Sequence, residues 1–276
     1  MASPFRKAPQ REIVFAVTVL TFLATANCYS ASSETRAITL YRGSAEAGDL
    51  EAQNGLAAIY LERAGDQHAL KLAVSLLESA ADQGLAAAQF NLARLYETGR
   101  GVRQDYEHAF QLLLRAAGQR YAPAQNEIGF LYLEGLGISQ DYAQARTWFE
   151  RAAALGNVAA TNNLGAMYAQ GLGVDQNLQM AFGWYARAAE AGSAIAQNNL
   201  AVAYLTGRGV EANLPLGVKW LGLAADHGNN DARYNLRALC HTVDDPPAAC
   251  SERQISTTSY FQRPRAKVLW KSDYLE

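Results

Sequence analysis

The sequence is short of charged residues, and this shortage excludes one class of partner. Charged side chains make up 18% of the chain, and the formal net charge is −2. The part predicted to fold contains no block of lysine and arginine, so the attraction that supplies most affinity for a nucleic-acid backbone is missing. We therefore predict no nucleic-acid partner. Hydrophobic residues make up 50% of the chain, which is enough to build a continuous core.

Cysteine is also scarce, since the chain has only three. In an oxidising compartment Cys240 and Cys250 are the candidate disulfide pair, because they stand on either side of a Pro-Pro turn. Cys28 would then be unpaired. The spacing matches no zinc motif, and Cys240 with His241 supplies two ligands where a structural zinc site needs about four. We predict no metal and no cofactor.

The motifs of common catalytic sites are missing too. The sequence has no Gly-x-Ser-x-Gly and no His-Glu-x-x-His, and its four histidines occupy unrelated positions. Four Gly-x-Gly pairs lack the third glycine of a dinucleotide fingerprint, and none is followed by the Gly-Lys-Ser/Thr of a phosphate-binding loop. We predict that these glycines end helices and that the protein is not an enzyme.

The apolar run near the N terminus is too short to cross a bilayer comfortably. It extends from Ile13 to Ala26, about 14 residues, where a spanning helix needs roughly 20. Basic residues precede it, and it ends in Ala24-Thr25-Ala26, the small-x-small pattern that signal peptidases accept. We predict a secretory signal peptide that is cleaved after Ala26. The alternatives are an uncleaved membrane anchor and lipidation of Cys28.

The chain does have a strong internal repeat. Three residue types recur at intervals of 36 residues, which is typical of arrays whose units each pack on their neighbours. The recurring residues are Gly48, Gly84, Gly156, Gly192 and Gly228; Ala52, Ala88, Ala124, Ala160, Ala196 and Ala232; and Tyr60, Tyr96, Tyr132, Tyr168 and Tyr204.

Each repeat is predicted to form two helices, a first and a second. In the repeat that begins near residue 86, Ala88 and Leu92 share one face of the first helix, which Gly99 ends. Asp105 begins the second helix, where the small pair Ala116-Ala117 lets neighbouring backbones approach closely. The predicted fold class is all-α, an α-solenoid of antiparallel helix pairs with a 36-residue repeat.

The repeat also sets the predicted domain organisation. Half a repeat precedes five full pairs and another half follows them, which gives twelve helices between about Glu34 and Cys240. The Pro-Pro turn after Cys240 is followed by a basic and aromatic segment that is predicted to cap the open end of the array. The predicted segments are a signal peptide over 1–26, a linker over 27–33, the solenoid over 34–240, and a C-terminal cap or tail over 241–276.

Two sets of repeated side chains are assigned to structure. Short polar residues at the start of second helices are predicted N-caps, each worth about 1 kcal/mol. These are Asp105, Asp141, Asn177 and Asn213, with Ser33 at the equivalent place in the opening half-repeat. Large aromatic residues on second helices are predicted to lie in the core. These are Trp148, Trp184 and Trp220.

The repeat resembles a known family. The best copy of the pattern contains Ala160, Leu164, Gly165, Tyr168, Gly171-Leu172-Gly173-Val174, Asn177, Ala181, Trp184-Tyr185 and Ala188-Ala189. This pattern resembles the Sel1-like repeat, a relative of the tetratricopeptide repeat, over about three quarters of the chain. The resemblance implies a scaffold that binds a protein or an extended peptide.

The resemblance also suggests where a partner binds. In tetratricopeptide domains the first helices line a concave groove, where an Asn beside the buried Leu reaches bound peptide. The corresponding residues are Asn91, Glu127, Asn163, Asn199 and Asn235, with Asn126, Asn162 and Asn198 beside them. Amides suit an extended peptide because each offers a donor and an acceptor. The alternative is that these amides hydrogen-bond between neighbouring helices.

A cellular role follows from the same resemblance. Exported Sel1-like proteins commonly regulate a membrane sensor or help to assemble an envelope complex, which implies an adaptor in the bacterial periplasm. Membrane contact is expected only through an uncleaved, inner-membrane anchor or a lipidated Cys28. The alternatives are a structural component of an envelope or secretion assembly and a secreted protein that acts on a host. Some cysteine-rich relatives are linked to β-lactam binding or hydrolysis, but the Cys pair of their repeats is missing here.

Overall fold

The computed structural model describes residues 31–63 and 65–242, and the regular structure within these ranges is entirely α-helical. There are twelve helices, which confirms the predicted fold class. They are α1 (Ala31–Glu46), α2 (Leu50–Leu61), α3 (Gln67–Asp82), α4 (Ala86–Thr98), α5 (Tyr106–Gly118), α6 (Ala122–Glu134), α7 (Tyr142–Ala154), α8 (Val158–Gln170), α9 (Leu178–Glu190), α10 (Ala194–Thr206), α11 (Leu214–Asp226) and α12 (Asn230–Thr242).

The helices fall into two compact units, with the boundary between Gln140 and Asp141. The first unit contains α1 to α6 and the second contains α7 to α12. Inside each unit every helix packs on the next one in the chain, which is the packing of an α-solenoid. The even-numbered helices α2 to α12 are first helices of repeats, and the odd-numbered helices are second helices.

The ends of the helices follow the predicted chemistry. Gly99, Gly135, Gly171 and Gly207 end first helices in the left-handed conformation, with φ between 68° and 71°. The side chains of Asp105, Asp141, Asn177 and Asn213 accept from backbone N–H groups at the start of second helices, as predicted. Ser33 is the exception, because it lies inside α1 (Ala31–Glu46), and the prediction that it caps this helix is wrong.

The second glycine of the Gly-x-Gly pair lets the turn approach the preceding second helix closely. A Cβ atom at Gly173 would lie 2.5 Å from the Cβ atom of Tyr142, at the start of the preceding second helix. Gly137 has the same relation to Tyr106, also at 2.5 Å. These glycines let the turn lie directly on the N-terminal end of that helix, because any side chain would collide with it.

The core is built from small and aliphatic side chains. The alanines Ala80, Ala116, Ala152, Ala188 and Ala224, at the ends of second helices, are fully buried. The tryptophans are a partial correction, because Trp148, Trp184 and Trp220 are half-buried rather than core residues. The positions directly after them are the buried ones, and they hold Phe149, Tyr185 and Leu221. Successive helical residues point about 100° apart, so one member of each pair faces the core and the other lies at its edge.

Several predictions concern residues outside the described ranges. They include the signal peptide over 1–26, Cys28 and the disulfide partner Cys250, together with nearly all of the C-terminal segment. Among the helices that the structure describes, none is long and apolar enough to cross a membrane.

Candidate functional site

The predicted amide residues form hydrogen bonds between successive first helices. In the first unit, Nδ2 of Asn91 donates to Oδ1 of Asn54 at 2.8 Å. In the second unit, Asn199 donates to Asn162 at 3.0 Å, and Asn235 donates to Asn198 at 2.9 Å. Each bond joins residues 37 positions apart, so it links one repeat to the next. These residues, together with Asn126, Glu127 and Asn163, form the amide rows.

Burial divides the amide rows into two groups. Most members are buried, and the exposed fraction is 2% for both Glu127 and Asn163. Asn54 on α2, Asn199 on α10 and Asn235 on α12 are only half-buried. The hydrogen bonds between helices, which are the alternative drawn from the sequence, are therefore present. Asn199 and Asn235 also remain open to a ligand from solvent.

One member of the rows was missed by the sequence reasoning. Asn54 lies on the same 36-residue spacing as Asn126, Asn162 and Asn198, with Phe90 at the position between. Because Phe90 interrupts the series of asparagines, the sequence reasoning did not include Asn54. The spacing was nevertheless a sufficient signal, because Asn54 makes the same bond in the first unit as Asn162 and Asn198 make in the second.

A second set of buried amides was also missed. Glutamines in the first turn of first helices donate from Nε2 to a carbonyl oxygen eight residues earlier, at the end of the preceding second helix. The donors are Gln53, Gln89, Gln125 and Gln197, and the acceptors are Ala45, Ala81, Ala117 and Ala189, at 3.0 to 3.3 Å. Each of these carbonyls also accepts from the backbone N–H three residues later, so each glutamine adds a second hydrogen bond that joins the first turn of a first helix to the end of the preceding second helix. Their role is structural.

The titratable groups with clear pKa shifts are mainly phenols whose burial disfavours the charged form. Burial raises the pKa of Tyr121, and burial raises that of Tyr185 despite the opposing charge of Arg208. Neither ring has the paired acid or base that a proton-transfer site needs. Within the described residues, no group of three or more His, Cys, Asp or Glu side chains is placed to hold a metal ion.

Arginines lie over two of the half-buried tryptophans of the second unit, Trp148 and Trp184. The guanidinium carbon of Arg151 is 4.6 Å from the ring centroid of Trp148, and that of Arg187 is 4.7 Å from Trp184. At these distances the positive charge is attracted to the face of the ring.

Comparison with known proteins gives consistent matches. The family model for the Sel1 repeat matches five consecutive segments: 50–85, 86–121, 122–157, 158–193 and 194–229. Each segment begins with a first helix and contains the second helix that follows it. Among curated proteins, none matches the chain.

Solved structures with the same arrangement include two that are more than 30% identical. A Sel1 repeat protein from Oxalobacter formigenes is 31% identical with a TM-score of 0.68, over 74% of this chain and 84% of that one. The protein c5321, a protective antigen of uropathogenic Escherichia coli with an SLR fold, is 32% identical with a TM-score of 0.66. That match covers 79% of this chain and 48% of c5321. A protein from Klebsiella pneumoniae, 22% identical with a TM-score of 0.51 over 73% of this chain and 98% of that one, shares the fold.

Proposed function

Because this chain belongs to the Sel1 repeat family, we propose that it is an exported scaffold that holds an extended segment of a partner protein against its first helices. Sel1 repeats generally mediate contacts between proteins, and proteins built from them are generally non-catalytic. The proposal adds to this general role an exported location, a surface and the conformation of the partner.

The half-buried amides of the second unit carry the proposal. A carboxamide has two N–H donors and a carbonyl oxygen with two lone pairs. The bond from Asn199 to Asn162 uses one donor of the first and one lone pair of the second, and the bond from Asn235 to Asn198 does the same. The groups that remain on Asn199 and Asn235 suit the alternating N–H and C=O groups of an extended main chain.

The mutual hydrogen bonds help binding rather than prevent it. They hold each amide in one orientation, so little side-chain freedom is lost when a peptide binds. Repeats place these amides at regular intervals along successive first helices, and an extended chain also presents its groups regularly. Buried members such as Asn163 would support this surface from behind without touching the ligand.

Export is supported by the N-terminal sequence. Arg6, Lys7 and Arg11 precede the apolar run, which ends in the pattern that signal peptidases accept. We assign the working location to the bacterial periplasm, where the scaffold would regulate an envelope sensor or assist an envelope assembly. Fractionation with and without a membrane wash tests this location, since soluble, anchored and lipidated forms separate differently. Recovery only in the cytoplasmic fraction would contradict export.

The partner surface is tested by photo-crosslinking in cells. A photoreactive phenylalanine analogue replaces Val202, which lies three residues after Asn199 on α10 and hence on the same helical face. The matched control carries it at Gly183, an exposed position of the second helix α9 with no atom within 4 Å of an added Cβ. We expect a discrete crosslinked protein from position 202 and none from position 183.

The same experiment includes the amides themselves. Asn199→Ala with Asn235→Ala, in the protein labelled at position 202, is expected to abolish the crosslink while the helical content stays close to that of the parent. The thermal unfolding midpoint should fall modestly, because the buried side chains of Asn162 and Asn198 lose their donors. Equal crosslinking from both labelled positions, or an undiminished crosslink in the folded double variant, would reject the first helices as the binding surface.

A further inference from the structure

One position on the second helices breaks the repeat in a way that the scaffold role does not explain. At intervals of 36 residues this position holds an apolar side chain in every repeat except one. The series is Val74, Phe110, Arg146, Phe182 and Val218. Arg146 therefore places a charged side chain where the other repeats have an apolar one.

The neighbouring repeats show what the arginine has displaced. Phe110 packs edge-to-face on Tyr132 of the following first helix, with ring centroids 5.7 Å apart and an interplanar angle of 88°. Phe182 packs on Tyr204 in the same way, at 5.3 Å and 89°. In the repeat between them, Tyr168 of α8 still occupies the tyrosine position. The phenylalanine that would cover it is absent.

The substitution coincides with an open cleft between α7 and α8. The cleft has a volume of 710 Å³ and is lined by Arg146, Tyr168 and the turn from Gly171 to Asn177. This volume lies within the range of about 300–1,000 Å³ that is typical of small-ligand sites. The residues all belong to the second unit.

Arg146 is weakly engaged by the fold. Its Nε lies 3.6 Å from Oε1 of Glu150, one helical turn later, and the two side chains are 37% and 49% exposed. Its Nε–H is shielded from water yet has no hydrogen-bond acceptor. An exposed ion pair with the basic residue first is also the less favourable order along a helix. A ligand carboxylate can therefore replace Glu150 with little loss.

The other polar groups of the cleft restrict the ligand further. The amide of Gln176 donates to the carbonyl of Ala169 at 2.9 Å, and the Asn177 side chain accepts from the N–H of Met180 at 2.9 Å. The fold thus uses one group of each amide. Asp175 adds a negative charge to the lining, so a bare anion is disfavoured and a ligand that combines a carboxylate with N–H donors is favoured. A peptide has this combination.

We propose that the α7–α8 cleft is a peptide-carboxylate site in which Arg146 binds an acidic side chain or a free C-terminal carboxylate. The planar guanidinium matches a carboxylate in a two-point contact through its terminal Nη groups, and the neighbouring Nε–H reports on that contact. This inference rests on the proposed function only in that the ligand is a peptide. It uses none of the amide rows, so either proposal can fail while the other stands.

The test follows the Arg146 Nε–H resonance in the ¹⁵N-labelled protein, identified by its loss in Arg146→Lys. Three tripeptides with blocked N termini serve as probes. One carries a single glutamate with an amidated C terminus, one carries a free C-terminal carboxylate without an acidic side chain, and one carries glutamine with an amidated C terminus. We expect saturable shifts with one or both carboxylate peptides, and the arm that responds identifies the source. The glutamine peptide should cause no shift.

Two variants complete the test. Arg146→Phe restores the residue of the neighbouring repeats, and Arg146→Gln keeps a polar chain without charge. Both should weaken carboxylate-peptide binding by about tenfold or more, followed through backbone amide resonances of the Gly171–Asn177 turn. The thermal midpoint of the phenylalanine variant should equal or exceed that of the parent, since the ring pair with Tyr168 re-forms. The proposal would be overturned if neither carboxylate peptide caused saturable shifts, or if the glutamine peptide caused equal shifts. It would also be overturned if folded Arg146→Gln bound the carboxylate peptides as tightly as the parent does.

Discussion

At the scale of single residues, glycine positions in the turns set how closely one repeat lies on the next. Gly173 has φ of +66°, and an added Cβ would also meet Tyr142 at 2.5 Å. We expect Gly173→Ala to lower the free energy of unfolding of the second unit by about 1–3 kcal/mol, because backbone strain and steric collision act together. Urea unfolding followed by far-UV circular dichroism measures this loss.

The chain offers a matched control for that substitution. Gly183 lies inside α9, is exposed and has nothing within 4 Å of an added Cβ. Gly183→Ala should stabilise the same unit by about 0.5–1 kcal/mol, since alanine loses less backbone freedom in a helix than glycine. If both substitutions shifted the unfolding midpoint in the same direction, close packing at the turn would not be the reason for Gly173.

Residue roles were predictable where local chemistry decides them. Asn177 was predicted as a cap because a short polar side chain directly before an amphipathic run accepts from free N–H groups. The role of Gln125 was not predicted, because its partner is the Ala117 carbonyl at the end of another helix and depends on how the two helices meet. Periodicity also could not decide whether Trp148 or Phe149 faces the core, since both are large and apolar.

At the scale of elements, α3 departs from the repeat. It has 16 residues where α5 has 13, and it begins at Gln67, three positions before the 36-residue spacing would start it. The turn before it has Arg63 where other repeats have the first glycine of the pair. The missing glycine makes this irregular turn visible in the sequence. Its replacement cap, Asp66, was not predicted because it lies off the repeat spacing.

The new cap makes the start of α3 sensitive to pH. The N–H of Ala69 donates to the Asp66 carboxylate and, helped by that of His68, holds the pKa of Asp66 below its ordinary value of 3.8. A lowered folded pKa means that stabilisation is present above the unfolded pKa and is lost as pH falls through the folded one. Protection of the Ala69 amide against hydrogen exchange should therefore decrease at low pH relative to that of Met180 in α9, whose N–H donates to the amide cap Asn177.

Asp66→Asn separates this effect from general acid unfolding. Asparagine caps a helix about as well as aspartate but does not titrate in this range. In this variant the protection of Ala69 should follow that of Met180 throughout the acid range. The same acid-dependent loss in the asparagine variant would show that the cap carboxylate is not its source.

At the scale of the whole molecule, the sequence was sufficient for the fold class. One spacing of 36 residues fixed the helix pairs, and the same spacing appears in the five matched Sel1 repeats. Repeat proteins permit this because each unit contacts mainly its neighbours, so local pattern and fold carry the same information. The ligand surface is less predictable, since it depends on which amides stay half-exposed after the repeats stack. Asn163 and Asn199 occupy equivalent positions but differ in burial.

The affinity of the crosslinked partner for the purified protein is the most direct test of the scaffold role. Calorimetric titration compares the parent with Asn199→Ala/Asn235→Ala and with Gly183→Ala as the folded control. The double variant should bind at least about tenfold more weakly, because the main-chain groups of the partner lose their hydrogen-bonding positions, while the control should bind as the parent does. Equal affinity for all three proteins would contradict a partner held by the first-helix amides.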